Sequence, residues 1–416
     1  MLRLTILIAS LALAALANLT YAEDWREFRG PTGQGHYLGK ALPIDWSVTK
    51  NVAWKQAIPG KGWSSPIVLD GRVYLTSAVP IDGSKDLSLQ AICVDAAKGS
   101  IIWKKEVFRQ ESAAAPNIHK KNSHASPTPI TDGKRIYVHF GHQGTACLDL
   151  DGKIVWSTKE HRYAPVHGNG GTPILVDNRL VFSTDGSDKQ FVIALNTADG
   201  KVAWKTPRKT KVGQPFSFST PLAIAVNGKI QIVSPASGAV MAYDADDGKE
   251  IWRVRYEDGY SVIPRPVYGH GMVYIGTGYN SPVVLAIKVD GKGDVTDSHV
   301  AWTLKKGAPH TPSLLLIDNE LHAVSDGGIA SCVDARTGKV HYQERVPGGY
   351  SASPFFADGR IYLQNEAGVT TVLRAGTTFE ILATSDVKER TFASYAVVDG
   401  AIFLRSETQL YRIQKK

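Results

Sequence analysis

Short apolar runs, separated by residues that favour tight turns, follow one another along most of the chain. In the first period the apolar run 66–69 precedes the pair Asp70-Gly71, and three further apolar runs follow before the period ends at Trp103. Asp-Gly and Asn-Gly pairs between apolar runs are strong signals of two-residue β-hairpins. Four antiparallel strands in each period of about 40–50 residues are typical of a β-propeller blade.

An eleven-residue cassette recurs in these periods, with a small residue first, Asp or Asn third, Gly seventh and an aromatic residue last. It occupies 93–103, 194–204, 242–252 and 332–342, with a shorter copy at 147–156 and an interrupted copy at 286–302. The tryptophans of this register, which we interpret as a structural girdle, are Trp54, Trp103, Trp156, Trp204, Trp252 and Trp302. Such even spacing indicates a repeated packing position rather than catalytic residues.

Seven periods begin near a proline that heads the first strand, at Pro66, Pro129, Pro173, Pro221, Pro266, Pro312 and Pro354. An eighth period begins near Ser394 and has only three strands, whereas 51–55, which contains Trp54, is a lone outer strand at the other end. We expect this N-terminal strand to complete the last blade, because closure removes the exposed edges of an open array. The prediction is an all-β, eight-bladed β-propeller of four-stranded antiparallel blades over residues 51–416.

The cassette resembles the tryptophan-docking motif of the eight-bladed quinoprotein propellers, the pyrroloquinoline quinone (PQQ) repeat family, over residues 50–413. In that family the last tryptophan stacks between the small residue and the glycine peptide of the next blade's motif. With its leader 25–35, the chain is similar to secreted bacterial PQQ-like propellers and, more distantly, to BamB-like scaffolds. This resemblance implies a fold and does not by itself imply an activity.

The first 22 residues have the organisation of a signal peptide. Arg3 supplies a positive start, 4–17 is apolar, and 20–22 places small residues at both positions that cleavage requires. We expect cleavage after Ala22 and export to the periplasm or the medium, with a retained N-terminal anchor as the alternative. Residues 23–50 are then a leader ahead of the propeller. No other apolar run approaches the ~20 residues of a membrane span.

Cysteine positions and charge exclude several classes of protein. Cys93, Cys147 and Cys332 all occupy the small-residue position of the cassette, so we interpret them as buried spacers rather than disulfide or redox groups. The formal net charge is +8, but lysines such as those of 120–121 and 207–211 lie in separate loops. Nucleic-acid-binding surfaces cluster their basic residues. We expect a monomer that binds no nucleic acid.

The two faces of the predicted propeller differ in loop length. Minimal turns occupy one face, and long, chemically varied connections occupy the other, which we call the long-loop face: 77–88, 108–124, 161–171 and 208–218. Binding residues concentrate on such loops. The residues expected to ring the mouth of the central channel are Trp63, Asn122, His124, His167, Asn169, Arg265, His310, Asp326 and Tyr350.

This set mixes hydrogen-bonding and aromatic side chains, as sites for polar small molecules and carbohydrates do. The alternative is that these side chains only hold water and cap strand ends. The loop histidines between His119 and His167 lack the spacing of a zinc site on a regular element, so no metal site is predicted. No catalytic residue is assigned.

Two functions from different classes fit these observations. The first is an exported, non-catalytic propeller that binds a protein partner or a carbohydrate through its long-loop face, as the BamB-like resemblance implies. The sequence lacks the vicinal cysteine pair and the haem motif of enzymes in the quinoprotein family. The alternative is a PQQ-dependent alcohol or sugar dehydrogenase, in which the quinone, with calcium, carries the redox chemistry.

Arg265 stands where a small residue, usually Ser or Thr, precedes the strand-heading proline, and Pro264 and Pro266 restrict its backbone. A guanidinium fixed at a channel mouth can hold a carboxylate or phosphate through two parallel hydrogen bonds. The hypothesis is an anion-binding end of the site, formed by Arg265 with His124, His167, Asn169 and His310. An internal salt bridge to Asp326 or Glu366 is the alternative.

Overall fold

The structure, a computed structural model, describes residues 24–257 and 259–415, which form eight β-sheets arranged as the blades of a propeller. The all-β, eight-bladed architecture predicted from the repeat is confirmed. The expected signal peptide, 1–22, lies outside the described residues. Two strands precede the first complete blade: β1 (His36–Tyr37) and β2 (Val52–Ala57). No helix in the described ranges is both long and apolar enough to cross a membrane.

Blades 1 to 4 each take four consecutive strands, with the innermost strand first. Blade 1 contains β3 (Ile67–Leu69), β4 (Arg72–Pro80), β5 (Leu87–Asp95) and β6 (Ile101–Gln110). Blade 2 contains β7 (Ile130–Thr131), β8 (Arg135–His139), β9 (Thr145–Asp149) and β10 (Ile154–Thr158). Blade 3 contains β11 (Ile174–Val176), β12 (Arg179–Asp185), β13 (Gln190–Asn196) and β14 (Val202–Pro207). Blade 4 contains β15 (Leu222–Val226), β16 (Lys229–Ala236), β17 (Ala239–Asp244) and β18 (Glu250–Arg255).

Blades 5 to 8 repeat the arrangement, with one insertion. Blade 5 contains β19 (Val267–Gly269), β20 (Met272–Gly276), β21 (Val284–Lys288) and β23 (Val300–Leu304). The insertion between β21 and β23 forms β22 (Gly293–Asp294), which joins the sheet of blade 4, and α1 (Thr296–His299). Blade 6 contains β24 (Leu315–Ile317), β25 (Glu320–Val324), β26 (Ile329–Asp334) and β27 (Val340–Arg345). Blade 7 contains β28 (Phe355–Ala357), β29 (Arg360–Gln364), β30 (Val369–Arg374) and β31 (Ile381–Asp386). Blade 8 contains β32 (Ala396–Val398), β33 (Ala401–Arg405) and β34 (Gln409–Gln414), and β2 joins it. Short 3₁₀ turns lie at Ser112–Ala114 and Gly141–Gln143.

The innermost hairpins use the turn chemistry that the sequence predicts. Asp70 and Gly71 have φ values of 46° and 70°, and Asp399 and Gly400 have values of 52° and 69°. Positive φ at both central residues gives a turn whose twist matches that of the paired strands. Asp and Gly tolerate this conformation, so the connections on this face stay short.

The two ends of the propeller share blade 8. β2 pairs antiparallel with β34, and this register places Trp54 opposite Arg412 and Val52 opposite Ile413. The N-terminal strand is therefore the outermost strand of a blade whose other three strands come from the C-terminal end, as predicted. β-pairing between the two ends of the chain closes the ring and covers an edge that would otherwise be exposed.

Five of the six girdle tryptophans dock on the cassette glycine of the next blade. A Cβ added to Gly99 would lie 2.6 Å from the ring of Trp54, and one added to Gly200 would lie 2.6 Å from Trp156, so only glycine leaves room for the indole. Each of the five also donates its Nε1–H, at 2.8–3.0 Å, to a carbonyl of the next blade: Trp54 to Ala96, Trp103 to Leu150, Trp156 to Thr197, Trp204 to Ala245 and Trp302 to Ala335.

Trp252 is the exception to this docking. Its Nε1–H donates at 3.0 Å to the Gln231 side chain of the same blade, and the residue is fully buried. The insertion between β21 and β23 explains the difference, because β22 pairs parallel with β18 and Val295 packs in the same apolar cluster as Trp252. The insertion therefore makes the contact between blades 4 and 5 that a cassette glycine makes elsewhere.

The leader lies against the innermost strands of blades on different sides of the ring. Trp25 pairs with Val68 of blade 1 through backbone hydrogen bonds of 3.0 and 2.8 Å, and β1 pairs parallel with β28 of blade 7. The Gln34 side chain accepts the backbone N–H of Tyr268 in blade 5 at 2.7 Å. These contacts place the leader across the central channel.

The three cysteines are free and fully buried. Burial raises the pKa of Cys93 and of Cys332 to about 12, and that of Cys147 to about 11. Such thiols stay protonated near neutral pH and pack as small apolar groups. The interpretation as buried spacers fits this environment.

Candidate functional site

A cavity of about 400 Å³ lies at the centre of the ring of blades. Residues that precede the innermost strands line its base, and loops of the long-loop face form its walls. Phe28 of the leader also contributes to the lining. Because the leader crosses the channel, the cavity is a funnel that opens on the long-loop face and ends above Phe28.

A ring of buried hydroxyls forms the base of the funnel. Its members are Ser65, Thr128, Thr172, Thr220, Ser313, Ser353 and Ser394, each 2–7% exposed. The backbone N–H of one ring position donates to the hydroxyl of the next, as from Ser65 to Thr128 at 3.0 Å. Ser394 donates to Ser65 at 3.0 Å and so joins the last blade to the first. Seven such bonds of 2.8–3.1 Å tie the blades together around the axis.

Arg265 occupies the ring position of blade 5, the one position of the eight that has no hydroxyl. Its Nη2 lies 2.9 Å from the Glu27 carboxylate, its Nη1 donates to the Phe28 carbonyl at 2.6 Å, and its Nε donates to the Pro221 carbonyl at 3.1 Å. The side chain is 2% exposed and is not part of the funnel lining. Arg265 therefore anchors the leader below the funnel, and its ion-pair partner is Glu27 rather than Asp326 or Glu366.

The ring presents hydroxyl protons to the cavity. Each ring oxygen accepts a backbone N–H, and a hydroxyl has one proton to donate in addition to its two lone pairs. Ser353 donates its proton to Ser313 at 3.0 Å. For the other six, the described residues provide no acceptor: Ser65, Thr128, Thr172, Thr220, Ser313 and Ser394. Because buried donors require a partner, water or a ligand must accept these protons.

Aromatic rings line the walls above the hydroxyl ring. His119, His167, Tyr260 and Tyr279 are lining residues. Phe216 and His310 lie outside the lining and extend them into an arc with centroid separations of 4.4–6.2 Å. On the wall of blades 8 and 1, Trp63 meets Phe392 edge-on at 4.8 Å. Aromatic side chains offer large, rigid apolar faces, against which a planar or ring-shaped ligand packs.

The charged groups at the mouth are already engaged. Lys121 pairs with Glu366 at 2.6 Å, and the Ser351 hydroxyl donates to the same carboxylate oxygen at 2.7 Å. Asp326 accepts the backbone N–H groups of His310 and Thr311 at 2.7 and 3.1 Å, and the Thr311 hydroxyl at 2.6 Å. Burial acts to raise the pKa of Asp326, but these hydrogen bonds outweigh it and hold the pKa below its usual value.

Two guanidinium groups near the base form no ion pair within the described residues. Arg405 lies behind the wall and donates to the Ser64 hydroxyl at 2.6 Å and to the Thr76 carbonyl at 2.7 Å. Arg29 lies in the leader and donates to the Leu314 carbonyl at 2.6 Å. Burial lowers the pKa of each to about 9, which leaves both protonated at neutral pH. The surroundings of the base are therefore positively charged.

Three of the nine predicted mouth residues line the funnel: Trp63, Asn122 and His167. Asn169 and Tyr350 are instead buried, and their hydrogen bonds hold loops in place. The Tyr163 hydroxyl donates to the Asn169 side chain at 3.0 Å, and the Tyr350 hydroxyl donates to the Pro347 carbonyl at 3.0 Å. Asp326, as described above, organises the start of blade 6. These three residues support the loops rather than face the cavity.

The predicted grouping of Arg265 with four neighbours is not found in the structure. His124 lies beside Gln110 at 3.5 Å, and burial lowers its pKa to about 4. His310 packs on Tyr279 with a centroid separation of 4.4 Å and is not part of the lining. Arg265 faces the leader, so His167 alone among the five lines the funnel.

The nine residues predicted from the sequence include neither the floor of the funnel nor the ring of hydroxyls. Phe28 lies in the leader, outside the repeat, so no periodic pattern gives its position. Ser313 is the ring residue of blade 6 and follows the strand-heading Pro312, whereas Ser65 and Thr128 precede their prolines. The available signal was the Ser or Thr ahead of the first strand in other blades, such as Ser65 and Thr128.

A family profile described as outer membrane protein assembly factor BamB matches residues 89–330 and 294–378. The matched ranges extend from blade 1 into blade 7 and cover well over half of the chain. The chain belongs to this family. The resemblance to PQQ-like and BamB-like propellers, inferred from the cassette, is confirmed.

Curated relatives of this BamB family member include an outer membrane protein assembly factor and dehydrogenases. BamB of Yersinia pestis is 23% identical over 295 residues, which are 65% of this chain and 69% of that protein. A lanthanide-dependent methanol dehydrogenase of Methylorubrum extorquens is 29% identical over 155 residues, 33% of this chain and 24% of that enzyme. The dehydrogenase subunit of a quinone alcohol dehydrogenase of Komagataeibacter europaeus is 25% identical over 249 residues, 55% of this chain. The matches span 24% and 29% of the lengths of these two dehydrogenases.

Solved structures agree on the fold. The crystal structure of BamB from Moraxella catarrhalis superposes with a TM-score of 0.58 at 12% identity and covers 87% of this chain and 99% of that one. The computationally designed protein Ika8 superposes with a TM-score of 0.59 at 12% identity and covers 85% of this chain and all of its own. At these identities the likeness shows the architecture alone.

The funnel residues do not fit a quinone held with calcium. Calcium takes about six to eight oxygen ligands, and carboxylates are prominent among them. The lining contains no carboxylate, and across residues 24–257 and 259–415 no group of three or more His, Cys, Asp or Glu side chains is placed to hold a metal ion. Lys121 is the cationic side chain of the lining, and it is paired with Glu366.

Proposed function

We propose that this protein is an exported, non-catalytic propeller that binds a carbohydrate in the funnel of its long-loop face. The observation that carries the proposal is the ring of buried hydroxyls below aromatic walls, within one cavity of about 400 Å³. Small-molecule sites usually measure about 300–1,000 Å³ and combine apolar walls with a few placed polar groups. A saccharide matches both parts, since its edges carry oxygen acceptors and its ring faces carry C–H groups.

The state of the nearby carboxylates supports binding rather than hydrolysis. Glycoside hydrolysis requires two carboxyl groups on either side of the scissile bond, one of them free to donate a proton. The carboxylates at the mouth are Asp326, held by three hydrogen bonds, and Glu366, held by Lys121 and Ser351. Neither is placed as a free acid or base.

Calorimetry against a panel of oligosaccharides tests this proposal. We expect Trp63→Ala and Tyr260→Ala each to weaken binding of a captured oligosaccharide by about tenfold or more, because each ring lines the funnel. Phe379→Ala is the matched control. Phe379 lies between β30 and β31 of blade 7, packs on Tyr342 of blade 6 at a centroid separation of 5.5 Å and lies outside the lining.

Two outcomes would contradict the carbohydrate proposal. Absence of binding across the panel, or an equal loss of affinity for the Phe379 variant, would remove the funnel as a saccharide site.

Addition of PQQ and calcium to the purified protein, followed by gel filtration, tests the enzymatic alternative. Quinone absorbance that stays with the protein would favour a dehydrogenase.

A protein partner on the same face is the second candidate function. The observation that favours it is family membership together with similarity to proteins named as outer membrane assembly factors. A photo-crosslinker at Lys120, in the long-loop face, is then expected to trap a partner, whereas one at Lys98, in the turn between β5 and β6, is not. Equal trapping from both positions would argue against a specific interface on this face.

A further inference from the structure

The base of the funnel is built for an acceptor-rich, negatively charged group. We propose that the ligand is an acidic saccharide whose carboxylate docks on the hydroxyl ring, while its sugar ring packs between the aromatic walls. This inference rests on the proposed carbohydrate function and specifies the charge and orientation of the ligand.

The donor pattern of the ring is the first argument. Six buried ring hydroxyls have no acceptor within the described residues, and their oxygens already accept backbone N–H groups. An ionised carboxylate is an acceptor with about four lone-pair sites and no proton of its own. A neutral sugar hydroxyl could donate to the one lone pair that each ring oxygen other than that of Ser313 retains, so the preference for a carboxylate rests on its charge. Hydrogen bonds to a charged acceptor are also the stronger ones.

Charge around the base is the second argument. Arg405 donates to Ser64, which stands between the lining residues Trp63 and Ser65. Arg29 donates to Leu314, the neighbour of the ring residue Ser313. Salt screens buried charges less than exposed ones, so both guanidinium groups act on the base of the cavity. Their positive charge favours an anion at the ring.

The distribution of carboxylates sets the orientation. Glu27 below the floor is neutralised by Arg265 at 2.9 Å, so it does not cancel the charge of Arg29 and Arg405. Asp326 and Glu366 belong to the mouth, where they hold His310, Thr311, Ser351 and Lys121. Glu366 is likewise neutralised by Lys121, whereas Asp326 has no Lys or Arg partner within the described residues. An anionic group is therefore favoured at the base and disfavoured near Asp326 at the rim. The sugar ring then lies at the level of Trp63 and Tyr260.

Calorimetry with three forms of one sugar tests the proposal: a glucuronic-acid disaccharide, its methyl ester and the corresponding neutral disaccharide. We expect the acid to bind at least about tenfold more tightly than the ester and the neutral sugar. Its affinity should fall as the salt concentration is raised. Equal affinity for all three would overturn the acidic assignment and leave the carbohydrate function intact. Absence of binding by all three would overturn both. Tighter binding of PQQ, a planar aromatic carboxylate, than of the acidic disaccharide would overturn the saccharide class.

Variants of one ring residue locate the carboxylate. Thr128→Val removes the hydroxyl proton, and Thr128→Ser keeps it. We expect the valine variant to lose most of the preference for the acid over its ester, and the serine variant to retain it. The ratio of the two affinities is the readout, because a general loss of stability affects both ligands alike. An unchanged ratio in the valine variant would place the carboxylate elsewhere.

Discussion

The Glu27 carboxylate lies 2.9 Å from Nη2 of Arg265, so a residue of the leader neutralises the one ring position that has no hydroxyl. The same guanidinium holds the Phe28 carbonyl at 2.6 Å, and Phe28 is part of the funnel lining. The interruption of the hydroxyl ring and the attachment of the leader are therefore one arrangement. Through it, the leader converts an open channel into a funnel with a floor.

We expect Glu27→Gln to lower the free energy of unfolding by about 3 kcal/mol, because it leaves the buried charge of Arg265 without a counter-ion. Asp45→Asn is the control in the same leader. It breaks an exposed pair with Lys50, and such pairs contribute about 0–1 kcal/mol. Urea unfolding of the two variants measures the difference. Losses of equal size would contradict a structural role for the Glu27–Arg265 pair.

A second change should rescue the first. In Glu27→Gln with Arg265→Ser, the buried charge is removed and the serine supplies the hydroxyl that the N–H of Thr220 lacks in the ring. We expect this double variant to be more stable than Glu27→Gln alone, by the same unfolding measurement. A further loss of stability would show that Arg265 acts through packing rather than through its charge.

Trp204→Ala should cost about 3–5 kcal/mol of stability, as large-to-small changes at buried aromatic residues do. Trp204 is 7% exposed, packs on Gly248 and donates to Ala245 of the next blade at 3.0 Å. Trp63→Ala, in a mouth loop, is expected to cost far less. Thermal unfolding compares the two variants, and equal shifts in melting temperature would disprove the girdle assignment.

The blades were predictable because each repeats the same local chemistry. Turns like Asp70-Gly71 and cassettes like the one that ends at Trp103 recur in most periods. An error in assigning one position therefore could not change the predicted architecture. Trp252 shows the limit of this reasoning. Its partner is the side chain of Gln231, because an insertion in the next blade replaces the cassette contact, and no repeat predicts what an insertion does.

The funnel was only partly predictable, since its chemistry comes from segments that do not repeat. Trp63 and His167 precede innermost strands, and both line the funnel. Arg265 has the same sequence position, but the leader, which is more than 200 residues away in the chain, determines what its guanidinium binds. Phe28 could not be placed for the same reason.

Deletion of 409–416 should abolish cooperative unfolding of the ring rather than loosen one end. β34 pairs with β33 on one side and with β2 on the other, so its loss exposes two strand edges and the face of Trp54 together. Deletion of 415–416 is the control, because β34 ends at Gln414. Circular dichroism during heating distinguishes the two deletions. A melting temperature equal to that of the intact protein would disprove the shared blade.

Two buried histidines predict how stability depends on pH. His139 is 3% exposed beside Phe182, and burial lowers its pKa to about 3. His322 is also 3% exposed, near Cys332, and burial lowers its pKa to about 4. Both imidazoles stay neutral in the folded protein well below the pH at which they take up a proton in the unfolded chain.

The unfolded chain therefore binds more protons than the folded one between about pH 6.5 and pH 4, and the free energy of unfolding falls as the pH drops through this window. Each histidine accounts for about 1.4 kcal/mol per pH unit, or about 2 kcal/mol at pH 5. His322→Gln should remove this share of the slope, whereas His341→Gln, at an exposed position of β27, should not. Urea unfolding at pH 7, 6 and 5 measures both slopes. The same slope in the His322 variant as in the wild type would show that this imidazole takes up its proton without unfolding.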